Sequence, residues 1–250
     1  MSNKSVFFLS DFHLGAKYLP DSLKSEKRVV RFLDSIKEKA GEIYLMGDIL
    51  DYWYEYKYVV PKGYVRFFGK LAELADNGIK IYWFIGNHDI WIYDYLPQEL
   101  GIEIIDGIQE KDILGKRFFL NHGDAIGKRK ASFRLIRWLF RNKMCQALYS
   151  LLPSRITIPF AHNWSSHSRA SENSDETYKT EKYLSNVIDF AKDYSKTHPE
   201  IDFYIFGHLH IIANRHISQN AHCIVLGDWI DKFSYAEFDG NDMVIKTFKE

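Results

Sequence analysis

The chain has 250 residues, enough for one large domain, and its 46% hydrophobic and 26% charged content is that of a folded protein. No apolar run approaches the ~18 residues of a transmembrane helix, and the short apolar stretch 6–9 carries no signal-peptide pattern. Two cysteines, Cys145 and Cys223, cannot build a disulfide framework, so reduced thiols in a cytoplasmic protein are expected.

Taken in chain order, an apolar run at 6–10 is predicted as a strand and ends in Asp11-Phe12-His13. A helix is predicted over 25–39, with Val29, Phe32, Leu33 and Ile36 at helical spacing. The next strand, 43–46, ends in Gly47-Asp48, with Asp51 three residues on. A helix over 65–76 closes at Asn77-Gly78, and the strand 79–85 ends in Gly86-Asn87-His88-Asp89. The strand 117–120 leads to Asn121-His122-Gly123-Asp124. Helical periodicity then runs from 128 to 152 through Phe133, Ile136, Leu139, Phe140 and Met144, and a polar stretch, 163–180, leads into a second helix over 181–194. The strand 203–206 ends in Gly207-His208-Leu209-His210, a further strand covers 223–226, and 235–248 reads as a β-hairpin turning at Asp239-Gly240-Asn241. The alternation of doubly covered strands with helices argues an α/β fold. It makes 1–250 a single domain, with a helical insertion at about 125–195.

Net charge is zero, but residues 125–171 hold nine Lys or Arg and no Asp or Glu. An even spread of acids would place about six there, so something local favours positive charge.

Each of the five polar clusters follows a strand at once. Ligands of α/β sheets bind at the carboxyl ends of strands, so the clusters should converge. Carboxylate, imidazole and amide oxygen without thiolate suit Mn²⁺, Fe²⁺, Zn²⁺ or Mg²⁺ and speak against a structural zinc site. Glycine before the ligands (Gly47, Gly86, Gly207) lets the backbone bend and approach closely. Taken singly, each motif has an ordinary reading as a capping turn, a loop or a surface histidine; five in series do not.

The motifs Asp11-x-His13, Gly47-Asp48-x-x-Asp51, Gly86-Asn87-His88-Asp89, His122-Gly123-Asp124 and Gly207-His208-x-His210 resemble, in order, those of the calcineurin-like metallophosphoesterases. The resemblance runs from residue 5 to about 230. It implies a sandwich of two β-sheets flanked by helices, and two divalent ions at the strand ends, with Mn²⁺ the preferred pair. One ion would take Asp11, His13, Asp48 and His210; the other would take Asp48, Asn87, His122 and His208, with Asp48 bridging through its two oxygens. Two such ions can hold a hydroxide nucleophile and clamp the phosphoryl oxygens. The catalytic residues expected beside them are His88, turned to the substrate, and Asp51 as its partner. Asp89 is expected to hold the loop or a ligand imidazole.

The basic insertion, Asp11-Phe12-His13-Leu14 and Leu226-Gly227-Asp228-Trp229 resemble the UDP-2,3-diacylglucosamine pyrophosphohydrolases of lipid A synthesis. That likeness implies cleavage of a nucleotide diphospho-lipid to UMP and a lipid 1-phosphate, with the insertion a cap over the acyl chains. Asn163, Ser166, His167 and Arg169 are then candidates to hold the diphosphate or uridine. Phe133, Trp138 and Phe140, interleaved with Arg134, Arg137 and Arg141, suit an anionic membrane surface. Peripheral attachment to the cytoplasmic face of the inner membrane is therefore expected, with no obligate protein partner. One departure stands out: the best-known members of that group have Arg where this chain has His88. The alternative is a phosphodiesterase or nuclease whose basic insertion binds nucleic-acid phosphates, against which stands the apolar stripe along the same insertion.

Overall fold

Strand β1 (Ser5–Leu9) buries every residue, with Phe7 and Leu9 on one face and Val6 and Phe8 on the other. A strand covered on both sides lies between two layers. The computed structural model describes the backbone of residues 4–127, 131–172 and 176–249, and their side chains outside 164–180. After β1 the chain forms α1 (Ser22–Ile36), β2 (Ala40–Leu45), α2 (Val65–Asp76), β3 (Lys80–Phe84), α3 (Tyr95–Leu100), β4 (Glu103–Ile105), β5 (Gln109–Ile113) and β6 (Lys116–Leu120). Four helices follow: α4 (Ala131–Arg141), α5 (Lys143–Ser150), α6 (Ser154–Glu172) and α7 (Glu176–Ser195). The chain ends in β7 (Phe203–Phe206), β8 (Ile212–His216), β9 (His222–Leu226), β10 (Ser234–Phe238) and β11 (Met243–Thr247).

The strands make two sheets, of order β11-β10-β1-β2-β3-β4 and β5-β6-β7-β9-β8. Strands β1, β2 and β3 are parallel, as are β6, β7 and β9. Register sorts side chains into layers because the side-chain period of a strand is two. Phe8, Tyr44 and Tyr82 are cross-strand partners facing the second sheet, where Phe8 stacks on Phe118 at 5.6 Å. Phe7, Ile43 and Ile81 are partners on the other face, under α1 and α2. On the far side of the second sheet, Val187 and Ala191 of α7 pack with Phe119, Tyr204 and Phe206. The result is a sandwich of two sheets flanked by helices.

The structure departs from the periodicity in three places. The helix expected over 128–152 breaks at Asn142, whose extended backbone and side-chain oxygen cap α5 by accepting from the Met144 and Cys145 N–H groups. The polar stretch expected at 163–180 is helical over the end of α6 and the start of α7. Strands β4, β5 and β8 and helix α3 were not expected; β5 and β8 are the outer strands of their sheet and carry mostly polar residues. No helix among the described residues is long and apolar enough to cross a membrane.

Candidate metal centre and substrate cavity

The polar residues all sit just beyond the carboxyl ends of parallel strands, and backbone hydrogen bonds carry the sheet ladders past the strands to hold them. Asp11 N–H donates to the Gly47 carbonyl, His13 N–H to Asp48, Gly207 N–H to His122 and Trp229 N–H to Asp11. Among the described residues, eight besides glycine have a left-handed backbone, and five of them are Asp11, His13, Asp48, His208 and His210. Such a conformation costs about 1–3 kcal/mol at each position, so its concentration here marks a site for which the fold bears strain. Two glycines permit the close approach. A Cβ on Gly86 would overlap the Asp48 carboxylate, and one on Gly207 would overlap Ser10 and come within 2.8 Å of Asp11 Oδ2.

Among the described residues, three sets of candidate ligand atoms lie within 4.8 Å of one another: Asp11, His13 and His210; Asp48, His122 and His208; and His13, Asp51 and His88. Asp48 turns a single oxygen toward the first two sets. Its Oδ2 is 3.8 Å from His13 Nε2 and 3.3 Å from His122 Nε2, while Oδ1 accepts the His88 backbone N–H at 2.9 Å. The bridge expected at Asp48 thus has Oδ2 between His13 and His122, and Oδ1 on a backbone donor. Asn87 presents its Oδ1 3.4 Å from His122 Nε2.

These residues fit divalent cations. His122 Nδ1–H donates to the Met46 carbonyl at 2.8 Å, which leaves Nε2 facing only acceptors, Asp48 Oδ2 and Asn87 Oδ1. Asp11 Oδ1 and His13 Nε2 are buried with no hydrogen-bond donor or acceptor, 3.8 Å apart, and His210 Nε2 is 3.5 Å from the same Asp11 oxygen. Buried polar atoms left so are costly, and a cation among them satisfies all at once. The donor set is hard to borderline.

The electrostatics give a pH signature. Burial disfavours the charged imidazole of His122, but Asp48 and Asp11 outweigh it and push its pKa up to about 10. His88, beside Asp48 and Asp51, is likewise pushed up to about 9 against burial. With an unfolded value of 6.5, His122 contributes to the stability of the cation-free protein fully below about 6.5, and loses that contribution as pH rises through about 10. Cation binding at His122 Nε2 displaces the proton there. The rise in Tm on adding Mn²⁺ is therefore expected to be larger at about pH 9 than at about pH 6.5. A rise independent of pH would contradict this protonation scheme.

Around the ligands, His88 Nδ1 lies 3.1 Å from the Asp51 carbonyl and 3.4 Å from Asp51 Oδ1. Asp89 is fully buried and holds the loops, accepting from the Ile49 and Gly86 N–H groups and the Trp83 indole. Two residues without a role in the sequence reading join the site. Asp228 accepts from the backbone of Ile230, Asp231 and Lys232 and from the Lys232 ammonium, and sits 3.7 Å from His210 Nδ1. That places a carboxylate behind the imidazole of a candidate ligand, where such a group can bias the tautomer. His162 of α6 brings Nδ1 within 3.7 Å of Asp51 Oδ2. Asn163 is exposed and accepts from the Lys17 ammonium at 3.3 Å. The side chains of Ser166, His167 and Arg169 lie outside the described residues.

Helices α4 to α6 stand over this end of the sandwich. They are joined to it by hydrogen bonds from Tyr52 to Tyr149, from Tyr54 to the Gln146 carbonyl and from Trp91 to the Phe140 carbonyl. Beneath them is a cavity of about 410 Å³. Asp51, Asn87 and His88 form part of its wall, and Trp91, Phe133, Ile136, Phe140 and Phe160 supply much of the rest. Arg137 and Arg141, expected at a membrane surface, instead line this cavity and pair with Asp124 at 2.9 Å and with Asp106. Their charges are drawn to carboxylates of the core loops.

The model of the calcineurin-like phosphoesterase family matches residues 4–211. A UDP-2,3-diacylglucosamine hydrolase of Porphyromonas gingivalis is 40% identical over 257 residues, covering 98% of this chain and 98% of that protein. One from Pseudomonas paraeruginosa is 30% identical over 249 residues, covering 95% and 96%. The solved structure of Yfce, a phosphoesterase from E. coli, is similar over 97% of this chain and 92% of that one, at 16% identity and a TM-score of 0.48. With the family match spanning most of the sequence and a full-length relative at 40% identity, this chain is a metallophosphoesterase of the calcineurin-like family.

Proposed function

We propose that this chain hydrolyses the diphosphate bond of UDP-2,3-diacylglucosamine, releasing UMP and 2,3-diacylglucosamine 1-phosphate for lipid A synthesis. The observation that carries this reading is the cavity: one space lined by carboxylate, amide and imidazole groups, by Arg137 and Arg141, and by many aromatic and aliphatic side chains. An amphiphilic phosphoester matches both, and two relatives of nearly equal extent are named as hydrolases of one. The direct test incubates purified protein and Mn²⁺ with UDP-2,3-diacylglucosamine, with single-stranded DNA in parallel. UMP release without nucleotide release supports the reading; the reverse overturns it.

Asp11, His13, Asp48 and His210 would hold one divalent cation, preferably Mn²⁺, and Asp48, Asn87, His122 and His208 the other. When bound, the cations polarise the phosphoryl oxygens and activate water for in-line attack. The chain's own residues set the geometry. The Met46 carbonyl keeps the His122 proton on Nδ1, and Asp228 does the same for His210. Asp51 orients His88 toward the phosphoester. The P–O bond that breaks expels a phosphate monoester, whose second pKa is about 6, so the leaving group needs little help from an acid. His88 then acts by charge stabilisation, as an Arg would. His88→Arg is expected to keep at least about a third of the rate on UDP-2,3-diacylglucosamine while costing more than about tenfold on an alkyl phosphodiester, whose alkoxide does need a proton. Equal losses on the two substrates would contradict this role. Asn163, Ser166 and Arg169 remain candidates for the uridine diphosphate end.

The acid-free segment serves attachment to the cytoplasmic face of the inner membrane in this proposal. Leu135 and Trp138 of α4, Leu148 of α5, and Leu151, Leu152 and Ile156 are exposed, Trp138 at 59% and Leu151 at 78%. Exposed apolar patches of this kind mark interaction surfaces, and Arg134 and Arg155 beside them suit anionic headgroups. Trp138→Glu combined with Leu151→Glu should weaken binding to anionic vesicles by at least about tenfold. Vesicle binding equal to that of the parent chain would count against the surface.

A further inference from the structure

Three imidazoles meet one buried carboxylate. Asp51 Oδ1 lies 3.4 Å from Nδ1 of both His13 and His88, whereas Oδ2 lies 3.7 Å from Nδ1 of His162. The first two histidines come from loops at the strand ends; the third is carried in by α6, a helix of the insertion. The His162 ring also lies 5.7 Å from that of Tyr52, and the next residue, Asn163, accepts from Lys17 in the loop after β1. One turn of α6 is thus joined to the loops after both β1 and β2. The torsion that turns a carboxylate is broad and two-fold, and two imidazoles sharing one oxygen do not fix it. A polar group beside the other oxygen restricts it, and His162 Nδ1 stands there at 3.7 Å, within ion-pair but not hydrogen-bond distance.

We propose that His162 is a positioning residue: from α6 it fixes the Asp51 carboxylate, and through it the aim of His88 at the phosphoester. The proposal rests on the reading of His88 as substrate-facing and needs no particular substrate, since any phosphoester that meets His88 depends on its aim. It makes the hydrolytic site complete only when α6 is seated, and it ties a helix with no cation ligand to the rate of the chemical step.

The test is a double-mutant cycle on the full chain loaded with Mn²⁺, using bis(p-nitrophenyl) phosphate and UDP-2,3-diacylglucosamine. His162→Ala is expected to lower kcat about tenfold on both substrates, with KM and Mn²⁺ content unchanged. His162→Gln, whose amide can donate to Oδ2, is expected to recover most of the loss. In a His88→Ala background, His162→Ala should cost less than about twofold, because the two residues act as a unit. Additive losses, an effect on KM alone, or loss of Mn²⁺ would each overturn the proposal. Should the Ala variant not fold, His162→Leu, which also lacks a donor, takes its place in the same cycle, and the same outcomes support or overturn the proposal. Absence of UMP release by the parent chain would overturn the lipid substrate, while the cycle on the simple diester still decides His162.

Discussion

Replacing Asp48 with alanine is expected to abolish cation binding and turnover together. Its Oδ2 is the one oxygen that faces both His13 and His122, and its Oδ1 satisfies the His88 N–H, so the substitution empties the centre of the site and loosens the Gly86–Asp89 loop. A loss of at least about 10³-fold in kcat, some 4 kcal/mol of transition-state stabilisation, follows from removing a shared anionic ligand of a two-cation clamp. Metal analysis should show the content falling with the activity. Asp48→Asn keeps the acceptor for His88 but not the charge, and should fall between. Activity of the alanine variant near the parent level in chelated buffer would contradict a two-cation site.

The second large effect concerns the cavity. Ile136 of α4 lines it together with Tyr52 and Trp91, and is half-buried. Tryptophan at this position fills space that an acyl chain would need. Burial of a methylene is worth about 0.8 kcal/mol, so excluding about four of them lowers kcat/KM on UDP-2,3-diacylglucosamine by about 200-fold. Hydrolysis of bis(p-nitrophenyl) phosphate, which carries no acyl chain, should change by less than about threefold. Equal losses on both substrates would mean that the cavity supports the cation site rather than a lipid.

What could be read from the sequence followed from chain locality. Asp11, Asp48, Asn87, His122 and His208 each stand within three residues of an apolar strand, so strand ends alone place them together. His162 gave no such signal. It sits within a helix, and its approach to Asp51 comes from the path of α6 across the sandwich. Asp228 was visible only as part of Leu226–Trp229, since its place behind His210 depends on how β9 lies beside β7. The partners of Arg137 and Arg141 were hidden for a related reason: periodicity marks a basic face, but the carboxylates paired with it, Asp124 and Asp106, belong to other elements. In the fold, β5 escaped notice because the sequence Gln-Glu-Lys-Asp-Ile has no apolar alternation, and its register is set by pairing with β6. The break at Asn142 left the apolar periodicity intact and is made by a side-chain cap.

In the proposed reaction the cation site and the apolar cavity act on one substrate. The most direct measurement compares kcat/KM for UDP-2,3-diacylglucosamine with that for UDP-glucosamine, which has the same diphosphate and no acyl chains. The expected ratio is at least about 10³, the equivalent of burying about five methylenes in the transition state. A ratio near one would contradict the claim and leave the cavity without a part in the reaction.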